Sequence, residues 1–224
     1  MSPESHGLAA PPQRKPEHRV QGVDHAAFPT FDPAATVHFY RDVLRFPVVH
    51  SICAAGWGRE KHPDFIHFFF DIGGGDRIAF FYYFGLEPPH AGSSTPGDSW
   101  GRLPEGTPGY FVDSRHLAIH VDDEDDLLEY RRRLDESKWP VEMQVMHETI
   151  ESIYTHDPNG YMVEITRALR PVTAQEDLDA ELTIDALIEV AQGEAPSLDK
   201  LLVRKAELIV ERAPQWSRER KAAQ

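Results

Sequence analysis

The chain has 224 residues, a formal net charge of -14 at pH 7 and a hydrophobic content of 41%. This length allows one domain, or one domain with an appendage, and this composition can bury a core. The negative charge argues against nucleic acid and against an anionic membrane as binding partners. Cys53 is the single cysteine, so no internal disulfide can form. The sequence also lacks a membrane span of ~18 apolar residues and a signal-peptide core, which predicts a cytoplasmic protein.

Residues 1–20 are rich in proline and charge, a composition that predicts a disordered N-terminal segment. The next segment, residues 21–87, has the pattern of a strand, a helix and three strands. Its first strand is short and apolar and carries His25 near its start. Asp32 followed by Pro33 predicts the beginning of the helix, because aspartate caps helices well and proline suits the first helical position. Further strands are predicted at 46–51, 65–72 and 77–84.

The strands predicted at 65–72 and 77–84 are unusually aromatic. One interpretation is that these rings form the core and a subunit contact. The functional interpretation is an aromatic wall for a flat or apolar substrate, a common feature of ligand pockets. His67 is the only ionisable group within residues 65–70, so it is a candidate for a supporting or acid–base role, with core packing as the alternative.

Residues 88–113 form a long segment with many prolines and glycines and without periodicity. Long loops of this kind in compact domains are usually functional or disordered. Trp100, Tyr110 and Phe111 argue against disorder. This segment is therefore predicted to cover the substrate or to contribute to a dimer contact.

Residues 114–169 repeat the order of the first module. Residues 115–121 alternate as a strand does, so His116 and His120 share one face. The acidic run 122–126 begins a helix, as the helix dipole favours. Strands are predicted at 141–146, 152–156 and 161–166, the last two joined by a hairpin turn at 157–160. Because Tyr40 lies fifteen positions after His25 and Tyr130 lies fourteen positions after His116, the pattern indicates an internal duplication of a βαβββ unit.

The chain changes character after residue 169. A helical pattern covers residues 176–192 and is stopped by Gly193, and a second helical pattern begins near Ser197. Residues 215–224 are polar. Residues 170–224 are therefore predicted to form a C-terminal helical extension, with two helices and a polar tail.

The duplicated unit resembles the vicinal oxygen chelate superfamily, which includes glyoxalase I, bleomycin resistance proteins and type I extradiol dioxygenases. The resemblance covers residues 21–169 and rests on His25, His116 and Glu164. Its most specific part is the turn at 157–160 followed by a glutamate four residues after Gly160. It implies an α+β fold in which two βαβββ modules pair into a curled, barrel-like sheet cup.

The resemblance also implies a metal centre in the cup. His25, His116 and Glu164 would be its ligands, the 2-His-1-carboxylate set that non-haem Fe(II) uses with open positions for substrate and O2. Fe(II) is the expected ion, with Zn, Ni, Mn or Co as alternatives. The implied partner is a small molecule with vicinal oxygens, and the implied assembly is a homodimer.

Comparison within the superfamily narrows the expected chemistry. Glyoxalase-like sites take a fourth ligand, a glutamate, from the strand that here covers residues 77–84, and no carboxylate or histidine occurs there after Arg77. Tyr154 lies ten residues before Glu164, where ring-cleaving relatives place a tyrosine beside the substrate oxygens. Those relatives also carry a catalytic histidine shortly before the fifth strand, which this chain lacks. His67 is the candidate substitute.

Three functions follow from these features. The first is an Fe(II) extradiol-type dioxygenase that acts on a catechol-like or other vicinal-oxygen substrate. The second is a glyoxalase- or epimerase-type lyase or isomerase, in which a divalent ion polarises a carbonyl while a base moves the adjacent proton. The third is a metal-free protein that binds a planar drug or metabolite.

Overall fold

A computed structural model describes residues 22–56, 63–86 and 108–222 of the chain. The predictions for residues 1–20, and for the greater part of 88–113, concern residues outside these ranges. The described residues fall into two compact units, one within Val20–Arg170 and the other within Pro171–Gln224.

The first module follows the predicted order. It contains β1 (His25–Pro29), α1 (Pro33–Val37), β2 (Val48–Ala54), β3 (Phe65–Gly73) and β4 (Asp76–Tyr83). The Asp32 side chain caps α1 by accepting a 2.9 Å hydrogen bond from the amide of Ala35. A π-helix over His38–Val43 continues directly from α1, which the helical pattern of the sequence did not indicate.

The second module repeats this order after a short helix, α2 (Gly109–Asp113), at the end of the predicted loop. It contains β5 (His116–Val121), α3 (Glu124–Asp135), β6 (Met143–Met146), β7 (Ile150–His156) and β8 (Met162–Ala168). Asp123 caps α3, and three acidic residues occupy its first turn, as the dipole favours. The duplication predicted from the sequence is therefore present in the fold.

Each module forms its own four-stranded mixed sheet. The strand orders are β1-β4-β3-β2 and β5-β8-β7-β6, which are equivalent under the duplication. In each sheet the first strand pairs in parallel with the last, and the other pairs are antiparallel. The fold is α+β, as predicted, and two curled sheets of this kind are compatible with an open cup rather than a closed barrel.

One face of each sheet packs into a shared apolar core with the helices. Its deeply buried members include Tyr40, Leu44, Phe70, Phe80, Leu127, Leu134, Ile153 and Ile165. Because side chains alternate along a strand, the opposite face of the first sheet carries His25, and the opposite face of the second carries His116. We call these two faces the ligand faces.

The second unit is a helical hairpin of α4 (Ala174–Ala191) and α5 (Leu198–Ala222). Thr173 and Glu176 form a reciprocal capping box at the start of α4. Its small core consists of Leu182, Ala186 and Leu208. The second helix continues to residue 222, through the segment predicted as a polar tail. The sequence analysis did not predict this part of the helix, because hydrophobic periodicity cannot detect a helix without an apolar face.

No helix in the described ranges is both long and apolar enough to cross a membrane.

Candidate metal centre

His116 and Glu164 form the most clearly assembled part of the candidate centre. The parallel pairing of β5 and β8 places Ala118 opposite Glu164, so His116 lies one pleat away on the same face. His116 Nε2 is 2.9 Å from Glu164 Oε2. The carboxylate is only 3% exposed, and a buried carboxylate requires a proton, a cation or several hydrogen-bond donors. The predicted proximity of these two residues is therefore observed.

The other ring nitrogen of His116 defines the tautomer. Its Nδ1 lies 3.0 Å from the backbone carbonyl oxygen of Asp113, which can only accept a hydrogen bond, so Nδ1 carries the proton. In the neutral ring, Nε2 then has only a lone pair to face Glu164. Two lone pairs at this distance repel each other unless a proton or a cation lies between them. Two ligands bound at right angles to one ion, each ~2.1 Å from it, are ~3 Å apart, so this pair fits two adjacent positions of a metal.

His25 lies on the ligand face of the first sheet and has a comparable arrangement. Its Nδ1 is 2.7 Å from Asp24 Oδ1, which leaves Nε2 available. The hydrogen bond to His25, together with the nearby Arg77 guanidinium, lowers the pKa of the Asp24 carboxyl. Histidines that bind metals usually donate the other ring N–H to an oxygen in this way, which fixes the ring and raises its basicity.

The predicted ligands are not gathered into one cluster. Among the described residues, no three histidine, cysteine, aspartate or glutamate side chains form a group that could hold a metal ion. His116 and Glu164 meet on the second sheet, whereas the His25 ring has His67 and Phe69 as neighbours, with centroid distances of 5.9 and 5.4 Å. The complete triad therefore stays a prediction.

The strand register locates the position where a fourth ligand would lie. Glu164 is opposite the residue two places after His116, and the equivalent position in the first sheet, opposite Ala27, is Ala79. Ala79 offers no donor atom and is fully buried. Of these two equivalent positions, the one in the second module therefore has a carboxylate and the one in the first module does not.

Tyr154 lies beside the histidine–glutamate pair, and its role toward a substrate oxygen stays a prediction. It is directly opposite Glu164 in the β7–β8 pairing, and its ring centroid is 6.0 Å from that of His116. Burial, together with the charge of Glu164, raises the pKa of the Tyr154 phenol. The hydroxyl therefore keeps its proton at neutral pH and can donate a hydrogen bond.

His147 is a residue of this site that the sequence analysis missed. It follows β6 directly, and its Nε2 lies 3.4 Å from the Tyr154 hydroxyl, a distance at which the phenol donates weakly to the ring. His147 is exposed to solvent, unlike Tyr154. The sequence feature that could have identified His147 is the hairpin of β6 and β7, which places residues 143–147 alongside the strand of Tyr154.

His67 is buried, with 6% of its surface exposed. Its Nδ1 donates a 3.1 Å hydrogen bond to the Phe80 carbonyl, and its ring stacks on Phe81 at 3.7 Å between centroids. Burial lowers the pKa of this imidazole, with smaller contributions from His25 and His50. His67 is therefore a neutral ring with Nε2 as a proton acceptor, and it neighbours His25 rather than forming part of a described metal cluster.

Aromatic rings continue along the ligand face of the first sheet beyond His67. Phe81 stacks on Tyr83 at 5.7 Å with an interplanar angle of 5°, and Phe65 packs against both. The alternate residues of the same strands, including Phe68 and Phe80, belong to the core. Each aromatic run is therefore divided between the two faces, which confirms that part of it forms the core; the aromatic wall for a substrate and the subunit contact stay predictions.

Two βαβββ modules, each with a histidine at the start of its first strand, define a class of two-module proteins, and here the second module adds Glu164 beside its histidine. Residues 22–165 match the family model of the Glyoxalase/Bleomycin resistance protein/Dioxygenase superfamily. The chain belongs to this superfamily, which is the vicinal oxygen chelate group that the sequence resembles. Members of this group typically bind a divalent metal, although bleomycin resistance proteins are not enzymes.

Solved structures similar to this chain carry related descriptions. A glyoxylase/bleomycin resistance protein/dioxygenase domain from Frankia sp. EAN1pec has 15% identity and a TM-score of 0.48, covering 70% of this chain and 98% of its own. A lactoylglutathione lyase from Agrobacterium tumefaciens has 20% identity and a TM-score of 0.42, covering 66% and 95%. A glyoxalase/dioxygenase from Nostoc punctiforme has 20% identity and a TM-score of 0.45, covering 67% and 92%. No curated protein matches the sequence.

Proposed function

We propose that this protein is a metal-dependent enzyme, an extradiol-type dioxygenase for a catechol-like substrate. The single observation that supports this choice best is Ala79 at the position equivalent to Glu164. With no fourth carboxylate, His25, His116 and Glu164 would be the three protein ligands, and three ligands leave room for two substrate oxygens and O2. When bound, Fe(II) would supply a Lewis acid for the vicinal oxygens and a redox partner for O2.

The residues of the chain would contribute binding and proton transfer. Tyr154, whose raised pKa keeps the phenol protonated, would donate a hydrogen bond to a substrate oxygen next to the His116–Glu164 pair. His147 is exposed and within 3.4 Å of that hydroxyl, so it can exchange protons between Tyr154 and solvent. This arrangement offers an acid–base route on the second sheet.

The first sheet would contribute to substrate recognition. The stacked rings of Phe81 and Tyr83 provide a flat apolar wall, which suits a planar aromatic substrate. His67, neutral and with Nε2 available, would accept a proton or a hydrogen bond from a substrate hydroxyl if the substrate reaches this sheet. Its proposed role is that of a base, because the lowered pKa keeps the ring unprotonated at neutral pH, although it also makes the ring a weaker proton acceptor.

The test begins with metal content, measured by mass spectrometry on anaerobically purified wild type, His116→Ala and His120→Ala. His120 is a matched control because it lies on the same strand and face as His116. About one iron per chain in wild type and His120→Ala, absent from His116→Ala, together with O2 uptake on addition of a catechol, is the expected result.

Other outcomes would replace this proposal. Zinc, nickel or manganese at the same occupancy, without O2 uptake, would favour lyase or isomerase chemistry. No retained metal after anaerobic reconstitution with Fe(II), Zn, Ni, Mn or Co would favour the metal-free binding function. Equal iron in wild type and His116→Ala would refute the ligand assignment.

A further inference from the structure

One side of α5 presents apolar residues to solvent. Leu202, Val203, Ile209 and Val210 have between 41% and 73% of their surface exposed. Ala206 lies between them in the sequence and is also exposed. These five residues are separate from the three that form the core of the helical hairpin. We call them the α5 stripe. An exposed apolar surface of this kind marks a site of association.

The α5 stripe is symmetric about Ala206. The four larger residues lie three and four positions before it and three and four positions after it. Residues with these spacings share one face of a helix, so the stripe is one continuous surface. A pattern that is the same in both chain directions is self-complementary, because a second copy that runs antiparallel presents the same pattern about a shared twofold axis. A helix that docks on a different protein needs an apolar face but not this symmetry.

The charges beside the stripe do not oppose its pairing with a second copy. The stripe itself has no charged residue, although the chain carries a net charge of -14. Lys205 and Glu207 lie next to the central alanine in sequence but ~100° away around the helix on either side. Each already has an ion-pair partner in its own chain, Asp179 at 2.7 Å for the lysine and Arg204 at 3.0 Å for the glutamate. Two copies can therefore meet along the stripe without burying an unpaired charge.

We infer that two copies of this chain associate through α5, antiparallel, with Ala206 at the twofold axis. In this contact Leu202 packs against Ile209 of the second copy. On the other side of the axis direction, Val203 packs against Val210 of the second copy. The small side chain of Ala206 allows the two helices to approach to ~8 Å between their axes. This inference does not depend on the proposed function, and it names a surface for the homodimer that the resemblance implies.

The size of the contact predicts how tightly the copies associate. Five residues from each copy form its centre, fewer than the ~20–30 residues per partner of a standard interface. We therefore expect a dimer that dissociates on dilution. Truncation to alanine within the stripe leaves its surface apolar, so a charged substitution is the informative change.

The first experiment is sedimentation equilibrium of wild type, Ala206→Glu and Ile188→Glu over ~1–200 μM protein, a range that covers micromolar dissociation constants. The mass of wild type should rise from 25.4 kDa, the mass of one chain, towards twice that value. Ala206→Glu places two carboxylates against each other at the axis and should raise the dissociation constant at least ~tenfold. Ile188 is the matched control, because it is an apolar residue of α4 with 52% exposure, and its substitution should change the constant less than ~twofold. Far-UV circular dichroism checks that all three proteins keep their helices.

The second experiment locates the twofold axis by disulfide cross-linking in a Cys53→Ser background, which removes the single cysteine. Ala206→Cys should form a covalent dimer on mild oxidation, because residue 206 meets its own copy at the axis. Val210→Cys is the control from the same stripe. Its two copies would lie ~12 Å apart along the helices, beyond the ~7 Å between Cα atoms that a disulfide can span. Its cross-linking should be at least ~tenfold lower.

Several outcomes would overturn this inference. One is wild type that stays monomeric over the whole concentration range. Another is a dimer that Ala206→Glu leaves intact, or that Ile188→Glu dissociates equally well. Cross-linking at Val210→Cys but not at Ala206→Cys would exclude an axis at residue 206.

Discussion

His116 Nε2 and Glu164 Oε2 lie 2.9 Å apart, although the two residues are 48 positions apart in the sequence. The contact depends on the parallel pairing of β5 with β8, which places both side chains on one face. Since the Asp113 carbonyl holds the proton of the ring on Nδ1, the pair requires a proton or a cation between its two facing atoms. A second proton on the ring or a metal ion meets this requirement, which makes the pair a candidate for two ligands of one ion.

Glu164→Gln tests the charge of the pair. The amide keeps the size of the side chain but removes the negative charge, so we expect metal content to fall at least tenfold in proteins reconstituted with Fe(II). Glu151→Gln is the control. Glu151 is also a buried carboxylate in the same sheet, but it lies on the opposite face, where it forms a 2.6 Å ion pair with Arg167. It should lower stability and keep the metal. Equal metal loss in both variants would indicate general damage to the sheet.

Tyr154→Phe tests the proposed hydrogen-bond donor. Removal of the hydroxyl leaves the ring packing beside His116 and Glu164 unchanged, so we expect kcat for catechol cleavage to fall by ~10²-fold, within the range for a lost acid–base group. Metal content should not change. Tyr82→Phe is the control, because Tyr82 packs against the core and not on the ligand face. An unchanged kcat in Tyr154→Phe would remove this residue from the mechanism.

Asp157 should make the stability of the fold depend on pH. Burial raises the pKa of this carboxyl from an ordinary value of 3.8 to about 6. The folded state therefore favours the protonated form, so the contribution of Asp157 is fully present below pH 3.8 and is lost as pH rises through 6. The difference corresponds to about 3 kcal/mol at 1.36 kcal/mol per pKa unit.

Asp157→Asn isolates this effect from that of the other carboxyl groups, several of which have lowered pKa values and the opposite pH dependence. Urea denaturation at pH 4, 5, 6 and 7 gives the free energy of unfolding of both proteins. The free energy of unfolding of the variant, relative to that of wild type, should rise by up to about 3 kcal/mol between pH 4 and pH 7. A difference that stays constant with pH would show that the pKa of Asp157 is not raised.

Leu208→Ala should destabilise the helical hairpin. Leu208 is one of three buried apolar residues that form the core of this hairpin in the part of the chain that the structure describes, and a buried Leu→Ala substitution costs about 2–5 kcal/mol. We expect faster amide hydrogen exchange throughout α4 and α5. Val203→Ala is the control, since Val203 is 60% exposed and its truncation should leave exchange unchanged. Equal exchange in the two variants would contradict the assignment of the core.

Much of the fold was predictable because it depends on local patterns. Alternation of apolar residues located the strands. Asp32 marked the beginning of α1 through capping chemistry, the acidic run 122–126 marked the beginning of α3, and Gly193 marked the end of α4. The π-helix over His38–Val43 was not predictable, because six residues are too few for hydrophobic periodicity to distinguish it from an α-helix. The short helix α2 was also missed, since five residues carry too little periodicity to detect.

The sequence by itself determined the two βαβββ modules, the lack of a fourth carboxylate after Arg77, and the identities of His25, His116, Glu164 and Tyr154 as candidates. These features follow from residue types and short spacings. Only the tertiary structure decided which of them meet: Glu164 with His116 and Tyr154, His147 with Tyr154, and Asn159 with Thr30 and Thr36. The physical reason is that strand register and the packing of the two modules depend on contacts between residues far apart in the chain, to which local periodicity is insensitive.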